Sequence, residues 1–178
     1  MTKPGNLPGF FFAFLVKKSY YTAMSKVTIT NLSNKDQTGR EMHRLIRRYS
    51  TDLHYVKVWQ NGKLVPLSSL PINKIFEIVR NIPYRRDNKP IEVVARPYKI
   101  LNNRNVGMDC KKKAILLASY LRSRGLPYRL IASSRLKSKR VHHVFPQMAF
   151  GDQWLNFDAT YPHYRPFESK QVTKAEVL

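Results

Sequence analysis

One cysteine stands where the sequence predicts that a helix begins. Cys110 is the only thiol among the 178 residues, and apolar residues follow it at helical spacing as far as Leu121. Gly125 predicts the end of this helix over residues 110–124. Free amide groups and the positive end of the helix dipole stabilise a thiolate at such a position. The position suits a nucleophile, although a lone cysteine is more often a small buried residue.

A nucleophilic thiol needs a base within hydrogen-bonding distance and a group that orients the base. The sequence predicts two strands, over residues 141–150 and 153–159, around a tight turn at 151–152. If the turn has two residues, His143 and Asp158 lie on one face of the hairpin as diagonal neighbours. A histidine and an aspartate on the same face could serve as the base and its orienting group.

The opposite face of this hairpin is apolar, which predicts that it belongs to the core. Its members are Val144, Met148, Leu155 and Phe157. His142 points with this apolar set, so the geometry selects His143 as the base. Pro146 cannot donate to a ladder and therefore predicts an edge strand or a bulge. A bulge would shift the register by one residue and reverse the choice between the two histidines.

The other predicted elements are a mixture of helices and strands. Thr38 and the glutamate three residues later fit a capping box for a helix that runs to about residue 50. Asn61-Gly62 lies between two apolar runs and predicts a hairpin. A second helix is predicted over 69–81, and a strand over 128–132.

The composition predicts a folded, strongly basic protein. Lys and Arg number 32 against 11 Asp and Glu, a net charge of +21. This balance predicts an anionic polymer as partner: nucleic acid, an anionic membrane surface or an acidic cell-wall polymer. The apolar fraction of 43% and the aromatic fraction of 12% exclude a wholly disordered chain. A single cysteine excludes an intrachain disulfide and a zinc site built from several thiolates, and no cofactor is predicted.

The densest runs of positive charge lie in the second half of the chain. The predicted polyanion-binding residues are Lys111, Lys112, Lys113, Arg135, Lys137, Lys139 and Arg140. A charge run is more often simply a solvated face of a domain. The second run leads directly to His143, so an anionic partner or an acidic substrate bound there would lie across the site.

Four motifs place the cysteine, the histidine and the aspartate in a characteristic order. They are Gly107-Met-Asp-Cys110, Leu121-Arg-Ser-Arg-Gly125-Leu-Pro127, His142-His143-Val-Phe145 and Trp154-Leu-Asn-Phe-Asp158-Ala-Thr160. Together they resemble the core of the transglutaminase-like superfamily over about residues 70–162. The stretch 84–92 is similar to the lead-in of phage-encoded and bacterial members.

The resemblance implies a papain-like α+β fold. In this fold the helix that bears the cysteine packs on an antiparallel sheet that bears the histidine and the aspartate. By position, Cys110 matches the nucleophile, His143 the base and Asp158 the group that orients it, a Cys-His-Asp catalytic triad. One departure concerns the residues after the cysteine: many relatives carry acidic residues there, and this chain carries three lysines. That difference leaves open a fold retained for binding.

Two functions follow from the resemblance and the charge. The first is a thiol-dependent acyl-transfer enzyme that acts on amide or peptide bonds of a protein or peptide substrate. Water as acceptor would make it a cysteine peptidase or amidase, and a lysine amine would make it a crosslinking transglutaminase. The alternative is a phage structural protein that holds nucleic acid or an anionic membrane beside other virion proteins, with an inactive triad. The sequence favours the enzyme.

Four segments are predicted along the chain. Residues 1–23 form a basic, aromatic N-terminal segment, 24–69 a strand, helix and hairpin region, 70–162 the transglutaminase-like core and 163–178 a C-terminal tail. The apolar run at 10–16 is too short to cross a bilayer, which needs roughly 20 residues, and no cleavage site follows it. The expected location is therefore cytoplasmic or virion-associated.

Overall fold

The computed structural model describes residues 35–87, 93–134, 136 and 140–178. The predicted N-terminal segment 1–23 lies outside the described residues, as does a predicted strand near residues 27–32. Arg135, Lys137 and Lys139 also lie outside them.

The described residues form five α-helices and six strands, joined in places by short 3₁₀ turns. The helices are α1 (Lys35–Tyr49), α2 (Asp52–Tyr55), α3 (Ile72–Asn81), α4 (Pro97–Asn102) and α5 (Cys110–Ser123). The strands are β1 (Lys57–Gln60), β2 (Lys63–Pro66), β3 (Tyr128–Ser134), β4 (His143–Phe150), β5 (Gln153–Asn156) and β6 (Lys174–Val177). None of these helices is long and apolar enough to span a membrane. This mixture of helices and antiparallel strands confirms the predicted α+β class.

Two antiparallel sheets are present in the described part of the chain. Strands β1 and β2 form a hairpin, and β5-β4-β3-β6 is the order of the larger sheet. The turn at Asn61-Gly62 has positive φ at both residues, 50° and 74°, which is why this pair closes the first hairpin. In the larger sheet Phe150 faces Gln153, as expected for a two-residue turn. The predicted register of the β4–β5 hairpin is confirmed.

The expectation that Pro146 marks an edge strand or a bulge was wrong. β4 lies between β3 and β5, and its pairing with β3 runs without a slip from Met148 to His143. The carbonyl of Pro146 accepts a hydrogen bond from the amide of Phe157 at 2.9 Å, so the missing proline N–H faces the same side. The last residue of β5 is Asn156, so the missing donor falls where the ladder has ended.

Helix α5 occupies the centre of the core. It packs on β4, and α1 and α3 pack on its other sides. Leu117, Ala118 and Leu121 are completely buried, and burying a leucine side chain contributes about 2 kcal/mol. Gly125 follows the helix with φ of 69°, a conformation that a side chain would disfavour. This packing fixes the start of α5, and hence Cys110, relative to the sheet.

Two boundaries differ from the prediction. Helix α1 already includes Lys35, so Thr38 lies inside the helix and is not its N-cap. The C-terminal segment 163–178 is not a separate tail, because β6 pairs with β3 at the edge of the large sheet. The amide of Leu178 donates to the carbonyl of Leu130 at 3.0 Å, which continues the same ladder.

Candidate active site

Cys110 is the first residue of α5, as its spacing predicted. Asp109 is the N-cap: its carboxylate accepts a hydrogen bond from the amide of Lys112 at 3.0 Å. The other free amide groups of the first turn and the positive end of the helix dipole therefore lie beside the thiol. Cys110 is 8% exposed, so the thiol is largely shielded from water.

His143 and Asp158 face each other across the end of the β4–β5 hairpin. The Nε2 atom of His143 lies 2.7 Å from Oδ2 of Asp158. The amide of Thr160 donates to the other carboxylate oxygen at 3.0 Å. Cys110 is also close enough to the ring of His143 to contribute to its raised pKa.

The charges of these groups are set by one another. Burial lowers the pKa of His143, but its hydrogen bonds with Asp158 and Cys110 outweigh burial and raise the pKa to about 9. Burial raises the pKa of Asp158, but the hydrogen bond from His143 and the charge of Lys170 outweigh this and lower it to about 2. A histidine that keeps its proton at neutral pH can stabilise a thiolate and later deliver that proton.

Lys170 is a member of the site that the sequence did not indicate. Its ammonium lies 3.1 Å from Oδ2 of Asp158, and the side chain is 4% exposed. The ammonium also lies 3.1 Å from the centre of the Tyr164 ring. Both residues lie in the segment 163–178, which was predicted as a C-terminal tail. No spacing in the sequence relates them to the cysteine.

Lys113 was predicted to bind a polyanion, and the structure contradicts this. The residue is 1% exposed. Its ammonium donates to the carbonyls of Arg80, Ala159 and Thr160 at 3.2, 3.1 and 3.2 Å. Burial lowers the pKa of Lys113 to about 8, against the opposing effect of Asp158. Lys113 therefore has a structural role, because its hydrogen bonds connect α5 to the two residues that directly follow Asp158.

Lys111 and Lys112 do not form an open basic face either. Their side chains are 14% and 16% exposed. Lys111 lies 3.6 Å from a carboxylate oxygen of Asp87 and also pairs with Asp109. Lys112 pairs with Asp87 and lies 3.7 Å from Asp109. The two carboxylates offset much of the positive charge beside the thiol. Arg140, in contrast, is exposed.

His142 was expected to point into the core, and this expectation was wrong. The residue is exposed and precedes the first residue of β4. Its Nδ1 atom lies 3.1 Å from the carbonyl oxygen of Arg140. The apolar face begins at Val144, two residues later than expected, because the strand itself begins at His143.

An aromatic wall lies on the solvent side of the cluster. The ring of Tyr161 lies 6.3 Å from the ring of His143 and 5.3 Å from that of Tyr84. Burial raises the pKa of Tyr84, and the nearby charge of Cys110 acts in the same direction. Tyr84 is 37% exposed. The two tyrosines therefore form a partly exposed aromatic rim beside His143.

Gly107 allows the chain before Cys110 to approach this rim. Its φ is 89°, and a Cβ would lie 2.8 Å from Cβ of Arg85 and 3.0 Å from the carbonyl of Pro83. The amide of Met108 donates to the same carbonyl at 2.8 Å. A glycine is required at this position because the two backbone segments lie too close for a side chain.

A cavity of about 390 Å³ opens beside Gly107 and Met108. Four cations line it, Arg85, Arg86, Lys99 and Lys112, together with one acid, Asp87. Across the described ranges, no group of three or more His, Cys, Asp and Glu side chains could hold a metal ion.

These features define a papain-like α+β protein whose cysteine begins a helix and whose histidine and aspartate lie on an antiparallel sheet. Residues 66–159, more than half of the chain, match the model of the transglutaminase-like superfamily. The chain belongs to this superfamily, which confirms the resemblance and supports a thiol-dependent kind of enzyme.

The solved structure of a candidate cysteine protease from Cytophaga hutchinsonii is similar over 79% of this chain and 52% of its own. The TM-score is 0.42 and the sequence identity 14%. The chain thus spans about half the length of that protein. No curated protein sequence matches the chain.

Proposed function

We propose that the chain catalyses thiol-dependent acyl transfer from an amide or peptide bond. Cys110 is the nucleophile, His143 the general base and acid, and Asp158 the group that orients the imidazole. The observation that carries this proposal is the contact of 2.7 Å between Nε2 of His143 and Asp158, together with the contribution of Cys110 to the raised pKa of the same ring. The helix start supplies the positive potential that such a thiolate needs.

The reaction begins with the proton on His143 and with the sulfur of Cys110 as the thiolate, because the raised pKa of about 9 keeps the imidazole protonated at neutral pH. The thiolate sulfur attacks the carbonyl carbon, and the C–N bond then breaks as the imidazolium delivers its proton to the leaving amine. A thioester remains on Cys110. An acceptor gives up a proton to His143, attacks the thioester and releases the thiol.

The acceptor determines which kind of acyl transfer occurs. Water gives a peptidase or amidase, and a lysine amine gives a crosslinking transferase. We favour hydrolysis. A fluorescent primary amine offered with a glutamine-containing peptide separates the two, because only a transferase incorporates the amine.

Labelling with a glutamine-analogue electrophile tests the proposal. Wild type should acquire one adduct by intact mass much faster than the chain in denaturant. Cys110→Ala should acquire none, and His143→Ala should react at least about tenfold more slowly. His142→Ala is the matched control, because its exposed ring should leave the rate unchanged. Equal rates for the folded and unfolded chain would contradict the proposal.

A second candidate function is the binding of an anionic partner, with or without catalysis. The net charge of +21 and the cation-lined cavity beside Gly107 support it. Arg140 is exposed, and Arg135, Lys137 and Lys139 shortly precede it in the sequence. The partner would be nucleic acid, an anionic membrane or a cell-wall polymer. A structural role in a phage particle, among other virion proteins, belongs to the same proposal.

Salt dependence tests the second candidate. Affinity for single-stranded DNA, duplex DNA and phosphatidylserine vesicles is measured as salt rises, because each phosphate contact releases counterions. Reversing Arg85 and Arg86 to glutamate should reduce the slope by about two. Lys57→Glu, at an exposed position of β1, is the control. Reduced binding with unchanged labelling of Cys110 would separate the partner from the chemistry, and no binding by wild type would contradict the candidate.

A further inference from the structure

Lys170 occupies an unusual position for a lysine. Its ammonium is buried and lies 3.1 Å from Oδ2 of Asp158. The same oxygen lies 2.7 Å from Nε2 of His143. The two cationic groups therefore share one carboxylate oxygen, and their nitrogen atoms can be no further apart than the sum of these two contacts.

Packing alone does not account for a lysine here. Taking an ammonium out of water is expensive, and an apolar side chain of similar length packs an interior at lower cost. The neighbours beyond Asp158 are aromatic: the ring of Tyr164 lies 3.1 Å from the ammonium and that of Phe145 5.8 Å. These rings attract a cation, but a methionine would also suit them. The charge is therefore best explained by the carboxylate.

We propose that Lys170 is a positioning residue, which holds the carboxylate of Asp158 in the orientation that His143 requires. The C-terminal segment between β5 and β6 thereby becomes part of the active site. This inference rests on the proposed thiol chemistry, because the orientation of the imidazole matters for function only if His143 acts in catalysis.

The surroundings of Asp158 are consistent with this role. Thr160 donates its amide to Oδ1 at 3.0 Å, while Lys170 and His143 both contact Oδ2. Lys113 holds the carbonyl groups of the next two residues, Ala159 and Thr160. Without Lys170 the carboxylate of Asp158 still accepts the hydrogen bond from Thr160 at Oδ1, but its other oxygen is free to rotate away from Nε2 of His143.

A double-mutant cycle tests the inference. The variants are Lys170→Met, Asp158→Asn and the double variant, and the readout is the labelling rate of Cys110 by the glutamine-analogue electrophile at pH 7. Because small misplacements of catalytic groups are costly, Lys170→Met alone should slow labelling by about tenfold or more. If Lys170 acts through Asp158, adding Lys170→Met to Asp158→Asn should change the rate by less than about twofold. Lys170→Arg should restore most of the rate.

Lys174→Met is the matched control, since Lys174 lies in β6 and pairs with Glu176 at 3.6 Å. It should leave the labelling rate unchanged. Full labelling in Lys170→Met, or an equal loss in both backgrounds, would overturn the positioning role while leaving the proposed function intact. Failure of the proposed function looks different: wild type itself would then label no faster than in denaturant.

Folding is checked by the melting temperature of each variant. If Lys170→Met does not fold, Lys170→Gln removes the charge and keeps a donor, and the same cycle is run with it. If both fail to fold while Lys170→Arg folds, the ammonium serves folding, and the positioning role is overturned.

Discussion

The protonation of His143 should make the stability of the folded chain depend on pH. The pKa of His143 is about 9 in the structure and 6.5 for a free side chain. Between these values the folded state binds a proton that the unfolded state has released. The stability that His143 contributes is therefore complete below about pH 6.5 and is lost as the pH rises through about 9.

The magnitude follows from the size of the pKa difference. Raising a pKa from 6.5 to about 9 corresponds to about 3 kcal/mol of unfolding free energy. The side chain is only 12% exposed, so solvent screening reduces this little. Lys113 acts with the opposite sign, because its lowered pKa of about 8 adds stability as the pH rises from 8 toward 10.5. The range between about pH 6.5 and 8 therefore isolates the effect of His143. Its contribution to the unfolding free energy should fall by about 2 kcal/mol across this range.

Urea denaturation at three pH values across this range, at fixed ionic strength, measures the effect, and Cys110→Ser is present in every variant so that a proton lost from the thiol does not offset the proton held by the ring. The variant that keeps His143 should lose about 2 kcal/mol of unfolding free energy between the ends of the range, and the variant with His143→Gln close to none. The variant with Asp158→Asn should lose less than half as much as the variant that keeps both His143 and Asp158, because the bond that raises the pKa of His143 is weakened. Parallel curves with His143 and with His143→Gln would refute the reasoning.

Three further results are expected. Gly107→Ala should lower the unfolding free energy by at least about 2 kcal/mol more than Gly62→Ala, as measured by urea denaturation of the two variants. A Cβ at position 107 would lie 2.8 Å from another side-chain carbon, whereas a Cβ at position 62 meets nothing within 4 Å. Lys113→Met should abolish the rise in stability above about pH 9, where the loss from His143 is complete, and an unchanged rise would show that this lysine is not its source. His142→Ala should match wild type in melting temperature, whereas a drop of several degrees would place its ring in the core.

The parts of the fold that depend on local pattern were predictable. The apolar periodicity after Cys110, with a glycine at its end, predicted the bounds of α5 almost to the residue. The turn at 151–152 fixed the register of the β4–β5 hairpin, and that register brings His143 to Asp158. Both follow from backbone geometry within a short stretch of chain, which is why sequence reasoning reaches them.

The parts that depend on distant contacts were not predictable in the same way. A run of three lysines after Cys110 resembles a solvated basic face, yet Lys113 is directed inward by carbonyls more than thirty residues away in the sequence. Lys170 meets Asp158 only because the C-terminal segment returns to the sheet as β6. Pro146 was misjudged because β5 ends at Asn156, so the N–H group that proline lacks is missing only beyond the end of the β4–β5 pairing. In each case the deciding partner lies on another element, where spacing carries no information.

The single thiol at the start of α5 also has a consequence for oxidation. Peroxide converts an activated thiolate to a sulfenic acid, which a second cysteine usually captures as a disulfide before further oxidation. This sequence contains no second cysteine. Recovery must therefore come from an external thiol, and without one the sulfur proceeds to the irreversible sulfinic acid. Preparations of the protein should lose thiol reactivity in air unless they are stored with reductant.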